Sequence, residues 1–285
     1  MVRLLKLEWL KNTGYRPFKV FSIIYFGLLV MLLFIGLVDF ELFGNTINLK
    51  EQGFYDFPEI WNFTTYVVGL LKIFLGCIIV FGICQEFSNR MFKQNIIDGL
   101  SKKEFLVSKM LTILVFSLVS TILVFVITFL LGKNYSVTQE TEKIFAEVYF
   151  VGNYFVKLCA FFSFLMFLSM LFRKSIFVFL SFFVWWIISG VLSSLEQFLY
   201  VGNKIMGESD RETVSELVSH HYIADYLPLG AMSKLIPAPF MRTNFAKALG
   251  AEYQFTYPTE SLVCCIVWIF VFSYGSYFIL KKRDW

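Results

Sequence analysis

From Met110 to Leu131 the chain reads MLTILVFSLVSTILVFVITFLL, 22 residues without a charge, with Lys109 before it and Gly132-Lys133 after it. A helix rises about 1.5 Å per residue, so this run crosses a hydrocarbon core of about 30 Å and reads as a transmembrane helix. Five further stretches are of the same kind: Phe18 to Val38, Thr64 to Cys84, Phe155 to Phe172, Ile176 to Leu195 and Ser261 to Leu280. The strands of a membrane barrel would give alternating segments of about 10 residues, and there are none. The expected fold is all-α, a polytopic membrane protein with six transmembrane helices.

The connections between the spans are sorted by charge. The first, third, fifth and last together hold 15 Lys and Arg against Glu8, Glu86, Asp98, Glu104 and Asp284, a net of +10. The opposite side nets −8, and Lys72 and Lys157 lie inside spans. The positive-inside rule then puts both termini in the cytoplasm. The same sorting makes the chain's overall +4 a topology signal, so no nucleic-acid partner is expected. No small-residue cleavage site closes the first span, since Gly36-Leu37-Val38-Asp39 is a poor one, and the span reads as a retained anchor. Cys77, Cys84, Cys159, Cys264 and Cys265 fall in or at the ends of spans, as packing residues and not as a disulfide framework.

The chain reads as one permease-sized domain over 1–285, with a basic leader over 1–19, a cytoplasmic connection over 85–109 and an external loop over 200–260. The cytoplasmic pieces are too small to bury a core of their own. Within the external loop, Gly202 to His221 is polar and acidic, whereas Tyr222 to Leu249 is apolar and broken by Pro228, Pro237 and Pro239. Short helices are expected there, either lying on or dipping into the outer leaflet or folded as a cap. The aromatic runs around Phe161 and Phe182 read as packing and lipid-facing surface.

Catalytic chemistry has little to stand on. The one Gly-Lys pair, Gly132-Lys133, is followed by Asn134, so no phosphate-cradling loop is present. No span holds a His or an Asp, and His220 and His221 are neighbours whose side chains diverge, without a third metal ligand. This chain is expected to be neither an enzyme nor a metal site. Lys72, near the middle of the second span, stands out because an unpaired ammonium there costs at least about 2.5 kcal/mol. Gly69 and Gly76 share its helical face, which therefore looks toward protein, along a transport path or a subunit contact. Glu196 is a possible partner for it, and a snorkelling lysine is the plain alternative. Lys157, near the outer end of its span, reads as snorkelling.

The connection from Gln85 to Lys109 carries a resemblance. Glu86 closes the second span, a short helix follows, and the turn Gly99-Leu100-Ser101-Lys102 leads through Glu104-Phe105 to Lys109. With the leader Leu4-Leu5-Lys6-Leu7-Glu8-Trp9, the segment Leu227-Pro228-Leu229 and the ending Leu280-Lys281-Lys282-Arg283-Asp284-Trp285, this resembles the type-2 ABC export permeases, membrane subunits of ATP-binding-cassette exporters. The resemblance implies two copies of a separate ABC ATPase subunit, which would hold ATP and Mg, with no cofactor on this chain. It also implies a second permease copy, as a homodimer or a related heterodimer, in a cell membrane, most naturally a bacterial inner membrane. Phe87 to Gly99 would be the coupling helix, and Glu86, Arg90, Lys93, Asp98, Gly99, Ser101, Lys102, Lys103 and Glu104 the ATPase-coupling residues. An ion-coupled secondary transporter using Lys72, or a non-transporting receptor or scaffold presenting the external loop, are the alternatives. The sequence leaves the substrate open.

Overall fold

In the computed structural model, which describes residues 2–34, 40–42, 45–47, 53–136, 140–206, 222–239 and 257–282, the long apolar runs are helical. In chain order the helices are α1 (Val2–Gly14), α2 (Arg16–Phe34), α3 (Glu59–Leu70), α4 (Lys72–Ser88), α5 (Met91–Ile97), α6 (Lys102–Tyr135), α7 (Thr141–Phe145) and α8 (Tyr149–Phe172). They are followed by α9 (Ser175–Met206), α10 (Pro228–Lys234) and α11 (Thr259–Lys282). Two three-residue strands, β1 (Phe40–Leu42) and β2 (Asn45–Ile47), pair antiparallel in the connection after α2. By length and composition α2, α6, α8, α9 and α11 can each span a membrane, and α3 with α4, bent by 40° at the break between them, makes a sixth if the pair is counted as one span. The chain is a multi-pass membrane protein.

The bend departs from the single straight helix expected over Thr64 to Cys84. At Leu71 the ladder tightens, with Leu71 N–H donating to the Val68 carbonyl (2.9 Å) and Phe74 N–H to the Leu71 carbonyl (3.0 Å). Gly69 weakens the helix just before the break, and the Thr64 and Thr65 hydroxyls bond back to the carbonyls of Ile60 and Trp61. Lys72 is consequently the first residue of a new helix and not the middle of an old one.

α8 is the central post. Some 72% of its span is buried, against 6% for α9, and its phenylalanines and leucines pack on α3, α4, α6, α9 and α11. Small residues set the spacing. A Cβ on Gly76 of α4 would fall 2.5 Å from Leu165 Cδ1, and one on Gly132 of α6 would fall 2.2 Å from the Phe57 ring. One end of the bundle carries α1, α5 and the last turn of α11, where Lys102 Nζ approaches the Lys281 carbonyl at 3.5 Å. Both ends of the described chain close on that end.

The opposite end is sealed by a 3-10 turn (Ile223–Tyr226) and α10, with Ala224, Ala231, Met232 and Leu235 buried. Asn62 and Asn153 donate to the Pro237 and Leu235 carbonyls, Trp268 Nε1 donates to Tyr226, and Glu196 accepts from the Ala224 N–H at 2.9 Å. Gly230 is required there, because a Cβ would sit 2.0 Å from the Ala224 carbonyl oxygen. This is the folded-cap alternative of the loop reading, over Tyr222 to Pro239; most of the acidic stretch before it, including His220 and His221, and Met241 to Leu249 after it lie outside the described residues.

Candidate coupling site

Three elements converge at the end that carries α1 and α5. Glu86 lies in the last turn of α4, Lys109 lies two turns into α6, and Glu8 lies midway along α1. All three are about 5% exposed. Lys109 Nζ donates to Glu8 Oε1 and Oε2 at 2.9 and 2.7 Å and to Glu86 Oε1 at 2.6 Å. Ser108 Oγ donates to Glu8 at 3.1 Å, and Lys11 Nζ stands 3.6 Å from Glu86 Oε1 and 4.0 Å from Glu8 Oε1. Two carboxylates thus face two ammoniums in a water-poor pocket, the arrangement that lets buried charges persist. Burial pushes the Glu8 carboxyl up, but Lys109, Lys11 and the hydrogen bonds from Lys109 and Ser108 outweigh it and hold the carboxyl below the usual glutamate value. Glu86 Oε2 is buried with no hydrogen-bond partner among the described residues.

The cluster explains how α1 is attached. Its apolar residues scatter around the helix and Leu7, Trp9 and Leu10 are exposed, so an apolar stripe does not dock it; Glu8 does.

The local sequence builds α5 as a rigid shelf beside this cluster. α4 stops where Arg90 adopts a left-handed conformation (φ 58°). α5 ends with the Gly99 N–H bonding to the Ile96 carbonyl and the Leu100 N–H to the Asn95 carbonyl, a paired closure that needs φ of +94° at Gly99. Ser101 then caps α6: its Oγ accepts from Glu104 N–H (3.2 Å) while Glu104 Oε2 accepts from the Ser101 N–H (2.9 Å). The Phe92 ring is buried against Phe105 (4.7 Å, edge-to-face) and Phe87 (5.2 Å), which fixes α5 to both neighbours. Arg90, Lys93, Asp98 and Gly99 are left exposed, and Ile97 is 83% exposed. A cavity of about 220 Å³ beside them is lined by Phe87, Ser88, Arg90, Phe92, Lys93 and Arg173.

Of the residues singled out from the sequence, Glu86 lies in the buried cluster, Arg90, Lys93, Asp98 and Gly99 lie on the exposed shelf, and Ser101 and Glu104 form the cap. Lys102 and Lys103 turn toward α11, with Lys103 Nζ 5.9 Å from the Tyr277 ring. Glu8, Lys11 and Ser108 were absent from that set, and Lys109 entered it only as the end of a motif. The signal for Glu8 was available: it is the one acid in a leader otherwise basic.

In the span interior, Gly69, Lys72 and Gly76 all face α8, as their shared helical face implies. Lys72 Nζ lies 4.9 Å from the centre of the Phe161 ring, and a Cβ on Gly69 would be 4.0 Å from Lys157 Nζ. Lys157 is not a snorkelling residue: it is 6% exposed, level with the break at Leu71. Glu196 binds the cap instead of Lys72.

Residues 99–285, well over half of the chain, match the family model described as ABC-2 family transporter protein. No curated protein and no solved structure matches the chain.

Proposed function

The chain belongs to the ABC-2 family of transporter proteins, and from that membership we propose that it is the permease of an exporter driven by ATP hydrolysis on separate subunits. Membership itself makes it a membrane permease component whose partner is an ABC ATPase subunit. The finer reading adds export as the direction, two ATPase copies holding ATP and Mg, and a second permease copy, identical or related. It also places α5 and both termini in the cytoplasm of a bacterial inner membrane, on the charge sorting of the connections.

The observation that carries the reading is the clamp of Lys109 on Glu8 and Glu86. It fastens α1, α4 and α6 into one body directly behind the exposed shelf of α5. A push delivered to Arg90, Lys93 and Ile97 by an ATPase cannot be absorbed locally, because Phe92 is wedged between Phe87 and Phe105. It passes into α4, a lever of 17 residues, about 25 Å long, that ends at the bend beside Lys72. The bend is where such a lever turns, as a hinge of a few residues that absorbs the backbone change.

Purification of the full chain from its own membrane in mild detergent tests this. An ATPase is expected at one copy per permease, with flux that stops when ATP is withdrawn. Flux driven by a proton gradient in a preparation free of any ATPase overturns the reading in favour of an ion-coupled carrier.

A further inference from the structure

We propose that Lys72 and Lys157 together form a binding site for the anionic group, a phosphate or carboxylate, of an amphiphilic molecule held within the helix bundle. The site is made where the bend of the second span meets the central helix. Lys72 opens α4 at the break, Gly69 clears the space before it, and Lys157 reaches into that space from α8, one turn ahead of Phe161. Cys265 of α11 lies within reach of both ammoniums.

What is missing points to the ligand. Lys72, Lys157 and the Cys265 thiol are the ionisable groups that lie together here, and no carboxylate joins them among the described residues. The six described spans hold no Asp between them, and Glu86 and Glu196, toward the two ends of the bundle, are engaged with Lys109 and with the Ala224 N–H. Lys72 has the face of Phe161 for a cation–π contact, whereas Lys157, 6% exposed, has no partner at all among the described residues. Two lysines brought together in an apolar interior without a carboxylate can hold charge there only at a cost, and ionisable residues kept in such a place mark a functional site. A single anion placed between them would favour the charged form of both and supply each ammonium with charge-assisted hydrogen bonds.

The surroundings specify the remainder of the molecule. Phe161 and Leu165 wall the site on α8, and Leu70 and Ile73, on either side of Lys72, are exposed on the apolar flank of the bundle. A charged head between the lysines with a hydrocarbon tail along that flank satisfies both surfaces. Because α4 turns at the same break, a movement of the lever would change the spacing of the two ammoniums. Only the statement that the bound molecule is cargo rests on the transporter reading; that an anion binds here does not.

The test uses the purified full chain in a neutral maltoside detergent, with dodecyl phosphate as the probe and native mass spectrometry as the readout. One dodecyl phosphate per chain is expected to bind saturably. Lys72→Met and Lys157→Met should each weaken it at least tenfold while melting at or above the unaltered temperature, since each removes an amino group that no carboxylate compensates. Lys72→Arg, which keeps the charge, should retain binding within about threefold and guards against a folding artefact. Competition by phosphatidylglycerol assigns the site to a lipid headgroup, and competition by inorganic phosphate assigns it to a soluble phosphate; either result supports an anion site. Absence of saturable binding, or equal binding by both methionine variants, overturns the proposal. Co-purification of an ATPase is scored on the same preparations, so loss of anion binding with the ATPase present rejects this site and leaves the permease assignment standing.

Discussion

Lys109 Nζ lies 2.7 Å from Glu8 Oε2, joining residues 101 positions apart in the chain and tying the first helix to the base of the third span. The same ammonium holds Glu86, so its removal leaves two buried carboxylates facing each other with only the half-buried Lys11 between them. Breaking one partner from a buried charge cluster costs on the order of 3–5 kcal/mol, and Lys109→Met should lower the unfolding stability of the detergent-purified chain by that much. Glu8→Gln added to Lys109→Met should recover part of the loss, with a coupling of about 1–3 kcal/mol across the double-mutant cycle. Additive losses would mean that the two residues do not share an energetic unit.

The clamp also carries a pH dependence of known sign. Glu8 has a carboxyl held below its ordinary value by Lys109 and Lys11, so its contribution to stability is complete above about 4.3 and is lost as pH falls beneath that through the lowered native value. Proteolysis at the junction between α1 and α2, near Tyr15, should therefore be flat from pH 8 to about pH 5 and rise at lower pH. Glu8→Gln should remove that rise by making the junction susceptible throughout.

Reversing charge on the shelf tests docking directly. Arg90→Glu with Lys93→Glu alters two exposed side chains without touching the buried aromatic wedge, so folding should be unchanged. Association with the ATPase should fall at least tenfold, and association of the unaltered complex should weaken as ionic strength rises. Reversal at Lys102 and Lys103 is expected to act less strongly, because these side chains lean toward Lys281 and Tyr277 of α11. An ATPase that binds the Arg90 and Lys93 variant normally must dock elsewhere.

How much of this could be read from residues alone depends on the range of the interaction. The spans were legible because 18 to 22 predominantly apolar residues have one solution in a bilayer, and the turn at Gly99 to Lys102 was legible because turn chemistry is local. The break at Leu71 was not, since no proline marks it and the tightened bonds depend on packing against α8. Glu8 was missed for a related reason: amphipathicity is the usual signature of a docked surface helix, and α1 docks through a charge whose partners Ser108 and Lys109 stand 100 and 101 residues away. Lys157 was misjudged by depth along its own span; its level is set by the bend in a neighbouring helix, which is a tertiary fact.

Orientation follows from labelling. Single cysteines placed in a cysteine-free background at Ser101 and Thr141 are both exposed and lie at opposite ends of α6 and its following turn. With the +10 end in the cytoplasm, a membrane-impermeant maleimide added to intact cells should modify the cysteine at Thr141 and not the one at Ser101. The reverse pattern would invert the molecule and remove α5 from the side where ATP is made.

The lever itself can be jammed. Gly76 sits one turn along α4 from Lys72, where a Cβ would meet Leu165 Cδ1 at 2.5 Å and Phe161 Cε1 at 3.1 Å. Gly76→Val must either push α4 off α8 or force those side chains from their rotamers, an overpacking cost of about 1–3 kcal/mol that is read as a lower melting temperature. The clamp at Lys109 and the shelf at α5 lie more than two turns away and keep their contacts, so the ATPase should still bind and hydrolyse ATP. Transport should fall at least tenfold, because α4 no longer moves past the central helix. Alanine at Gly76 adds one methyl group and should give a smaller loss of the same kind. Normal flux in Gly76→Val, with the protein folded and the ATPase bound, would mean that the movement coupling the two subunits does not pass through the contact between α4 and α8.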